Sequence, residues 1–169
     1  MKLIEALKKL KYLEKKASDL RDKVQDHCVN MDYETPVYTD QKMQVSGWIQ
    51  AYQDLLKEIS NLHFRIQKTN LQTPVKIELA GKTVEKTIAE WIIRRRKLVE
   101  MELSLYRKLT DKNLREGQVK FPSGQEIMAK IRRYYDPKER DEKMQALTQE
   151  PFEIDSKLEI LNAITDLVE

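Results

Sequence analysis

The chain has 169 residues, and 31 Lys and Arg stand against 28 Asp and Glu, so that 35% of it is charged while the net charge is only +3. Hydrophobic residues make up 40%, which is enough to bury a core and argues against wholesale disorder. The near balance of charge disfavours a dedicated nucleic-acid binder. Only four Gly and five Pro are present, a shortage of turn formers that disfavours all-β folds and favours a few long helices. The length fits one domain over residues 1–169.

Residues 1–30 carry the clearest helical pattern. Their apolar side chains recur at steps of three and four, close to a coiled-coil heptad, at Leu3, Leu7, Leu10, Leu13, Ala17, Leu20 and Val24. After a loop containing Pro36, a second helix is expected to begin at a cap on Thr39 or Asp40 and to end near Thr69. Phe64 projects away from the apolar face of this helix, and a second apolar surface on a long helix favours self-association.

A short β element is expected next. Residues 75–79 alternate apolar and polar side chains and precede Gly81, which predicts a hairpin returning through Lys82 and Thr83. A third long helix is expected over residues 84–113, with a buried side formed by Val84, Ile88, Trp91, Leu98, Leu105 and Leu109.

The last third is predicted to contain short elements. We expect a strand over residues 118–121 that pairs with the strand near Ile77, and a capping box formed by Ser123 and Glu126 at a helix start. Asp136 and Pro137 have the pattern of a second helix start. Two short helices are expected to end near Glu150, and Pro151 is expected to open the last helix. The predicted fold is therefore mainly α: an antiparallel long-helix bundle with a small β-hairpin and short C-terminal helices.

Charged residues interrupt the apolar stripes of two helices. Arg95 and Glu102 are seven residues apart on the third helix, and Glu14 and Arg21 are seven apart on the first. Unpaired buried charges are expensive, so these groups need partners. Crossed pairs, Glu14 with Arg95 and Arg21 with Glu102, would set helix register, or Arg95 would bind an anion in a buried pocket.

The residues that usually carry catalysis are scarce. Cys28 is the only cysteine, which excludes an intrachain disulfide and a multi-cysteine zinc site and indicates a reducing compartment. His63 is expected to be a core residue, and His27 cannot meet the adjacent Cys28 because neighbours on a helix point about 100° apart. No known catalytic or phosphate-cradling motif is present. We therefore expect no cofactor and no metal, and an enzyme is disfavoured.

The chain also lacks the usual membrane signals. No apolar run reaches the length of a signal peptide or of a membrane span, so we expect a cytoplasmic protein that does not enter membranes.

Several stretches resemble the septicolysin-like family of small bacterial proteins. They stand in the same order over nearly the whole chain: Met1, Lys2, Leu3, Glu5, Ala6 and Leu7; Arg65, Ile66, Thr69, Asn70 and Thr73; Gly81, Thr83, Val84 and Ile88; and Ile154, Asp155, Lys157, Leu158, Asn162, Thr165 and Leu167. The resemblance implies a helical, oligomeric fold with a small β element and no established activity. It also draws attention to Arg65, Thr69, Asn70 and Thr73, of which Asn70 and Thr73 can cap a helix end.

These observations favour a non-catalytic homo-oligomeric binding or scaffold protein. A more specific hypothesis is an interface pocket lined by Arg65, Asn70, Thr73 and Arg95 that captures a small anion such as a nucleotide or a phosphorylated metabolite. An enzyme acting on a small phosphorylated substrate is the alternative, and a peripheral membrane or pore-forming protein is the third possibility. Nucleic acid is disfavoured as a partner because the aromatic content is 7% and no stacking motif is present.

Overall fold

A computed structural model describes residues 1–169 and shows a mainly α protein with two separate two-stranded antiparallel sheets. The elements follow one another as α1 (Leu3–His27), α2 (Gln41–Gln72), β1 (Pro74–Leu79), β2 (Lys82–Thr87), α3 (Ile88–Ile93), a π-helical segment (Arg94–Leu98), α4 (Val99–Tyr106), β3 (Gly117–Lys120), β4 (Glu126–Ala129) and α5 (Pro137–Ile164). The predicted fold class is confirmed. None of the helices combines the length and the apolar character needed to cross a membrane.

The chain forms two compact units. The first contains Met1–Pro74, Thr87–Ala89 and Leu158–Glu169, and the second contains Val75–Lys86 and Glu90–Lys157. The organisation as one domain over residues 1–169 stays a prediction.

The first unit is built on the packing of α1 against α2. Each helix buries one stripe: Leu3, Ala6, Leu10, Leu13 and Ala17 from α1, and Leu55, Leu62, Ile66, Thr69 and Asn70 from α2. The two helices run antiparallel, since His27 at the end of α1 packs on Trp48 near the start of α2. The Asp40 carboxylate accepts a hydrogen bond of 2.8 Å from the Met43 N–H, which confirms the predicted cap of the second helix.

The second unit contains most of the predicted hairpin. β1 buries alternate residues, Val75 and Ile77, as its pattern predicted. Its turn residues Ala80 and Gly81 have φ values of 48° and 76°, the positive pair that a type I′ turn requires. The hairpin is held to the next helix because the buried indole N–H of Trp91 donates to the Val75 carbonyl over 3.1 Å.

The predicted third helix was wrong in its bounds and in the later part of its buried face, whereas Ile88 and Trp91 are buried as predicted. Helix begins at Ile88, not at residue 84, because β2 continues through Thr87, and it ends at Tyr106. Leu98 and Leu105 are 41% and 63% exposed, whereas Val99 and Leu103 are buried. The cause is the π-helical segment: the Val99 N–H bonds to the Arg94 carbonyl, five residues back. Each such turn contains an extra residue and moves the buried face by one position.

The strand predicted over residues 118–121 is present, but it pairs with a different strand from the one predicted. β3 pairs with β4, with Val119 opposite Ile127, rather than with the strand near Ile77. The predicted capping box at Ser123 was also wrong, because Glu126 opens β4 and Gly124, at φ 84°, is in the turn between the strands. A local hairpin satisfies the backbone of both strands with little loop-closure entropy.

The region after Asp136 forms one helix where two were predicted. The start is as predicted: Pro137 is the first residue of α5, and the Asp136 carboxylate accepts from the Lys138 N–H over 2.8 Å. Pro151, however, is inside α5 and does not open a new helix. Proline lacks the N–H that an interior position uses, so α5 lacks one backbone bond at this point.

We therefore expect Pro151→Ala to raise the free energy of unfolding by about 1–3 kcal/mol, because alanine restores that bond. Pro137→Ala is the matched control and should change stability by less than about 0.5 kcal/mol, since a first-turn N–H has no partner within the helix. Urea unfolding followed by circular dichroism measures both. Equal effects of the two substitutions would contradict this explanation.

Candidate functional site

The predicted ligand residues of α2 lie at its C-terminal end, where they bind the chain's own backbone. Arg65 donates from Nε to the Val168 carbonyl over 3.1 Å. The Thr73 hydroxyl donates to the Thr69 carbonyl over 2.8 Å, which is the capping role that its position suggested. The Arg65 guanidinium therefore anchors the segment that follows α5.

Thr69 completes this anchor; the resemblance drew attention to it, but it was not among the residues of the predicted pocket. Its side chain is fully buried, its hydroxyl donates to the Arg65 carbonyl over 2.8 Å, and the same oxygen accepts from the Val168 N–H over 3.0 Å. Lys68 adds a bond of 2.7 Å to the main-chain oxygen of Glu169. The signal of Thr69 in the sequence was a hydroxyl side chain at a position of α2 where the apolar stripe predicts a hydrophobic residue.

Asn70 is the remaining predicted residue of this group. It is 8% exposed, and its side-chain carbonyl oxygen is buried without a hydrogen-bond donor. A buried acceptor of this kind attracts an N–H or O–H group, so in this orientation it adds no anion-binding group to Arg65. The pocket expected from Arg65, Asn70, Thr73 and Arg95 stays a prediction.

Arg95 belongs to the second unit and has its own partner. Its guanidinium binds the Asp155 carboxylate of α5 through two nitrogens at 2.7–2.9 Å, with both side chains largely in solvent. This charge-assisted pair holds the pKa of the Asp155 carboxyl below its ordinary value. Arg95 was predicted to pair with Glu14, but Glu14 lies 3.5 Å from His63, and Arg21 binds Ser18.

We predict that Arg95→Ala raises the pKa of the Asp155 carboxyl toward its ordinary value, because the hydrogen bonds that favour its charged form are removed. The stability that this carboxylate contributes is present above its unfolded-state pKa and is lost as pH falls through its lower folded-state pKa. Carboxyl-carbon NMR titration of wild type and variant measures the shift. An unchanged Asp155 titration would contradict the assigned pairing.

The histidines take no part in a catalytic arrangement. His27 packs its ring against Tyr38 and Trp48, each with ring centroids 5.5 Å away, while Cys28 is exposed. His63 was predicted to be in the core but is half exposed beside the Glu14 carboxylate. No group of three or more His, Cys, Asp or Glu side chains is arranged to hold a metal ion.

Glu150 is the charged residue that the second unit buries, and the partly buried Arg94 is its partner. Its Nε and Nη2 donate to the two oxygens of Glu150 at 2.6 and 2.8 Å, and its Nη1 donates to Glu102 at 2.6 Å. The Glu150 side chain is only 9% exposed and that of Arg94 is 22% exposed. These carboxylates keep the guanidinium protonated, since they raise its pKa.

The π-helical segment explains why Arg94 rather than Arg95 meets Glu102. In a regular α-helix residues seven apart share an angular sector, which made Arg95 the expected neighbour. Because the π turn contains one extra residue, Arg94, which is eight positions before Glu102, lies on the same side of the helix as Glu102. π-Helical turns of this kind are frequent at functional sites, because they re-aim a side chain without breaking the helix.

Arg94, Glu102 and Glu150 form one wall of an open groove of about 610 Å³. This volume is within the range of small-molecule sites. The groove lies entirely within the second unit. Its apolar surface comes from the hairpin and from α5. The lining residues are Leu79, Ala80, Lys82, Val84, Arg94, Glu102, Glu142, Lys143, Gln145, Ala146, Leu147, Gln149, Glu150 and Glu153.

The groove has a small excess of negative charge. Four carboxylates line it against three cations, and at the buried wall a single guanidinium lies between the two carboxylates of Glu102 and Glu150. Glu150 uses both oxygens on Arg94, whereas the Glu102 side chain is 40% exposed and uses one oxygen. Of the two carboxylates on Arg94, Glu102 is therefore the one that a ligand in the groove can reach.

Breaking this buried pair should be costly. We expect Arg94→Met to lower the free energy of unfolding by about 3 kcal/mol, because Glu150 is left buried without a counter-charge. Arg94→Met combined with Glu150→Leu should recover most of that loss, since an apolar pair needs no compensation. Chemical denaturation of the two variants measures the coupling. A double variant as unstable as the single one would show that packing, not charge, dominates here.

A smaller cavity of about 250 Å³ lies where the residues after α4 meet the start of α5. Its Arg133 binds both oxygens of Asp111 at 2.7 and 2.6 Å, and Arg140 bonds the Leu109 carbonyl while its guanidinium carbon lies 5.6 Å from the centre of the Tyr135 ring. The Arg133 pair lowers the pKa of the Asp111 carboxyl. Both arginines are thus committed to internal partners.

Fold and site together define a mainly α protein with small β-hairpins and a charged, open groove. The chain belongs to the family of unknown function DUF6847, whose model matches residues 11–167. A crystal structure of a functionally unknown conserved protein from Corynebacterium diphtheriae is similar, with 22% sequence identity over 99% of each chain and a TM-score of 0.59. At that identity the likeness shows the fold alone.

No curated protein matches the chain. The family and the similar structure carry no septicolysin-like name, so that resemblance stays a prediction. The coarser part of it, a protein of an uncharacterised family with a mainly helical fold, is confirmed.

Proposed function

We propose that the protein is a non-catalytic binding protein whose second unit takes a small organic cation in the groove beside Arg94. The observation that carries the proposal is the Glu102 carboxylate: one oxygen is bound by Arg94, and the side chain remains 40% exposed at the groove. An ammonium group there adds a charge-assisted hydrogen bond without disturbing the buried Arg94–Glu150 pair. Leu79, Val84 and Leu147 offer apolar surface to the ligand's carbon chain.

The small anion expected from the sequence is the competing ligand. In this groove an anion would have to displace Glu102 from the Arg94 guanidinium and would face the remaining carboxylates. Lys82 and Lys143 favour such a ligand, but the lining as a whole is more acidic than basic. The excess of carboxylates therefore supports a cation first, with a nucleotide or phosphorylated metabolite as the second candidate.

We expect 1,5-diaminopentane to bind the wild-type protein and to bind Glu102→Gln at least about tenfold more weakly, since a hydrogen bond to a charged group contributes about 1.5–3 kcal/mol. Glu100→Gln is the matched control, because Glu100 is on the same helix but binds Arg107 at the surface. Isothermal titration calorimetry at low salt measures the three affinities.

Equal affinity for the two variants would show that the diamine binds surface charge in general, and the proposal would fail. A parallel titration with ADP distinguishes the second candidate: tight ADP binding that Lys82→Ala weakens, without diamine binding, would assign the groove to an anion.

Self-association is the other part of the proposed function, as a scaffold made of copies of one chain. Its support is the number of large apolar side chains that α2 leaves exposed, including Phe64 at 69% and Leu71 at 63%. The predicted homo-oligomer and its cytoplasmic location remain proposals.

A further inference from the structure

One face of α2 in the first unit is exposed and carries no charge. At the helical spacing of three and four residues it presents seven side chains: Ile49, Gln53, Leu56, Ser60, Phe64, Gln67 and Leu71. All seven are exposed, and they fall within a sector of about 80° at 100° per residue. We call this set the α2 face. In a chain that is 35% charged, an uncharged strip of about 33 Å at 1.5 Å per residue is unusual for a solvated surface.

The α2 face is symmetric about its centre. The gaps between successive members are four, three, four, four, three and four, so that the order reads the same in both directions from Ser60. The chemistry is symmetric as well: Leu56 mirrors Phe64, Gln53 mirrors Gln67, and Ile49 mirrors Leu71. A partner of different sequence would not require this symmetry.

We propose that the α2 face binds the α2 face of a second copy of this chain, antiparallel, with a two-fold axis through Ser60. A two-fold interface must be self-complementary, since residue i of one copy contacts residue j of the other and j contacts i. The mirrored order places Leu56 of each copy on Phe64 of the other and Ile49 on Leu71. The small Ser60 side chains at the axis allow the helices to approach closely.

Charge at the edge of the α2 face is compatible with this pairing. Asp54 and Lys68 lie on the same flank of α2, on opposite sides of Ser60 and nearly equally far from it. The two-fold therefore brings Asp54 of each copy, which binds Lys57 of its own chain, near Lys68 of the other, which binds the Glu169 main-chain oxygen of its own chain. It also sets Lys57 against the neutral Asn61. No like charges meet across the axis.

The size of the contact sets the expected affinity. A face about 33 Å long on a helix about 10 Å wide covers roughly 350 Å² on each copy, or about 700 Å² in total, which is below the roughly 1,200 Å² of stable specific interfaces and indicates a weak, transient dimer. Four large apolar side chains per copy leave water, which makes a dimer with a dissociation constant in the micromolar range the expected result. This inference rests on the proposed self-association and is independent of what the groove in the second unit binds. A dimer that survives Phe64→Lys would overturn only the α2 face, whereas a monomer would overturn self-association as well.

A cysteine at the axis tests the geometry directly. With helix axes 8–10 Å apart, the two Ser60 Cα atoms are about 5 Å apart, within the range that a disulfide spans. In a Cys28→Ser background, which removes the exposed native thiol, we expect Ser60→Cys to form a covalent dimer nearly completely under mild oxidation. Asn61→Cys is the matched control. Residue 61 is also exposed, but its side chain points about 100° away from that of Ser60, so this variant should remain mostly monomeric.

The non-covalent dimer is tested with the full chain at about 50 µM by analytical ultracentrifugation. Phe64→Lys places a charge against Leu56 of the other copy and should abolish the dimer, and Tyr12→Lys, an exposed aromatic on α1, should leave it unchanged. Circular dichroism confirms that both variants fold. Equal crosslinking of Ser60→Cys and Asn61→Cys, a dimer that survives Phe64→Lys, or a monomer at this concentration would each overturn the proposal.

Discussion

The ion pair between Arg94 and Glu150 is the constraint on which the second unit depends. A glutamate side chain that is 9% exposed and an arginine bound through two nitrogens cannot slide past one another, so the pair sets the position of the α3–α4 helix along α5. The apolar packing of Val99, Leu103 and Leu147 then follows from that register. A purely apolar contact between two smooth helices would permit neighbouring registers, whereas a buried charge has only one partner.

The π-helical segment is what makes this pair possible, and it also accounts for the groove. One extra residue per turn brings Arg94 and Glu102 to the same side, rotates Val99 and Leu103 inward and leaves Leu98 exposed. The same rotation leaves a second carboxylate on a guanidinium that one carboxylate already neutralises. The wall of the groove is therefore negative because of how the helix is built. A ligand would bind the Glu102 carboxylate, a charge that the fold already holds beside Arg94.

In the first unit, the polar residues at the end of α2 serve the backbone rather than a ligand. Arg65, Lys68 and Thr69 bind Val168 and Glu169. The main-chain N–H groups of Leu3 and Leu167 donate to the carbonyls of Thr165 and Met1. Residues that carry a family resemblance can thus be held in place by the need to satisfy buried backbone groups. The exposed side of α2 does not bind backbone groups of the chain in this way. Its apolar side chains are therefore available to contact another copy.

The sequence by itself determined the helical class, the hairpin over Val75–Leu79 with its Gly81 turn, the cap at Asp40 and the start of α5 at Pro137, because periodicity and turn chemistry act over a few residues. Tertiary structure alone decided which arginine is buried, since one inserted residue between Arg94 and Leu98 changes every later face and leaves no mark in the apolar spacing. It also decided the partner of β3 and the continuation of α5 through Pro151, because each depends on contacts that outweigh a local preference. From the sequence, the candidate site could be predicted only as a set of charged residues that need partners. Which residues pair with one another is decided by the tertiary structure.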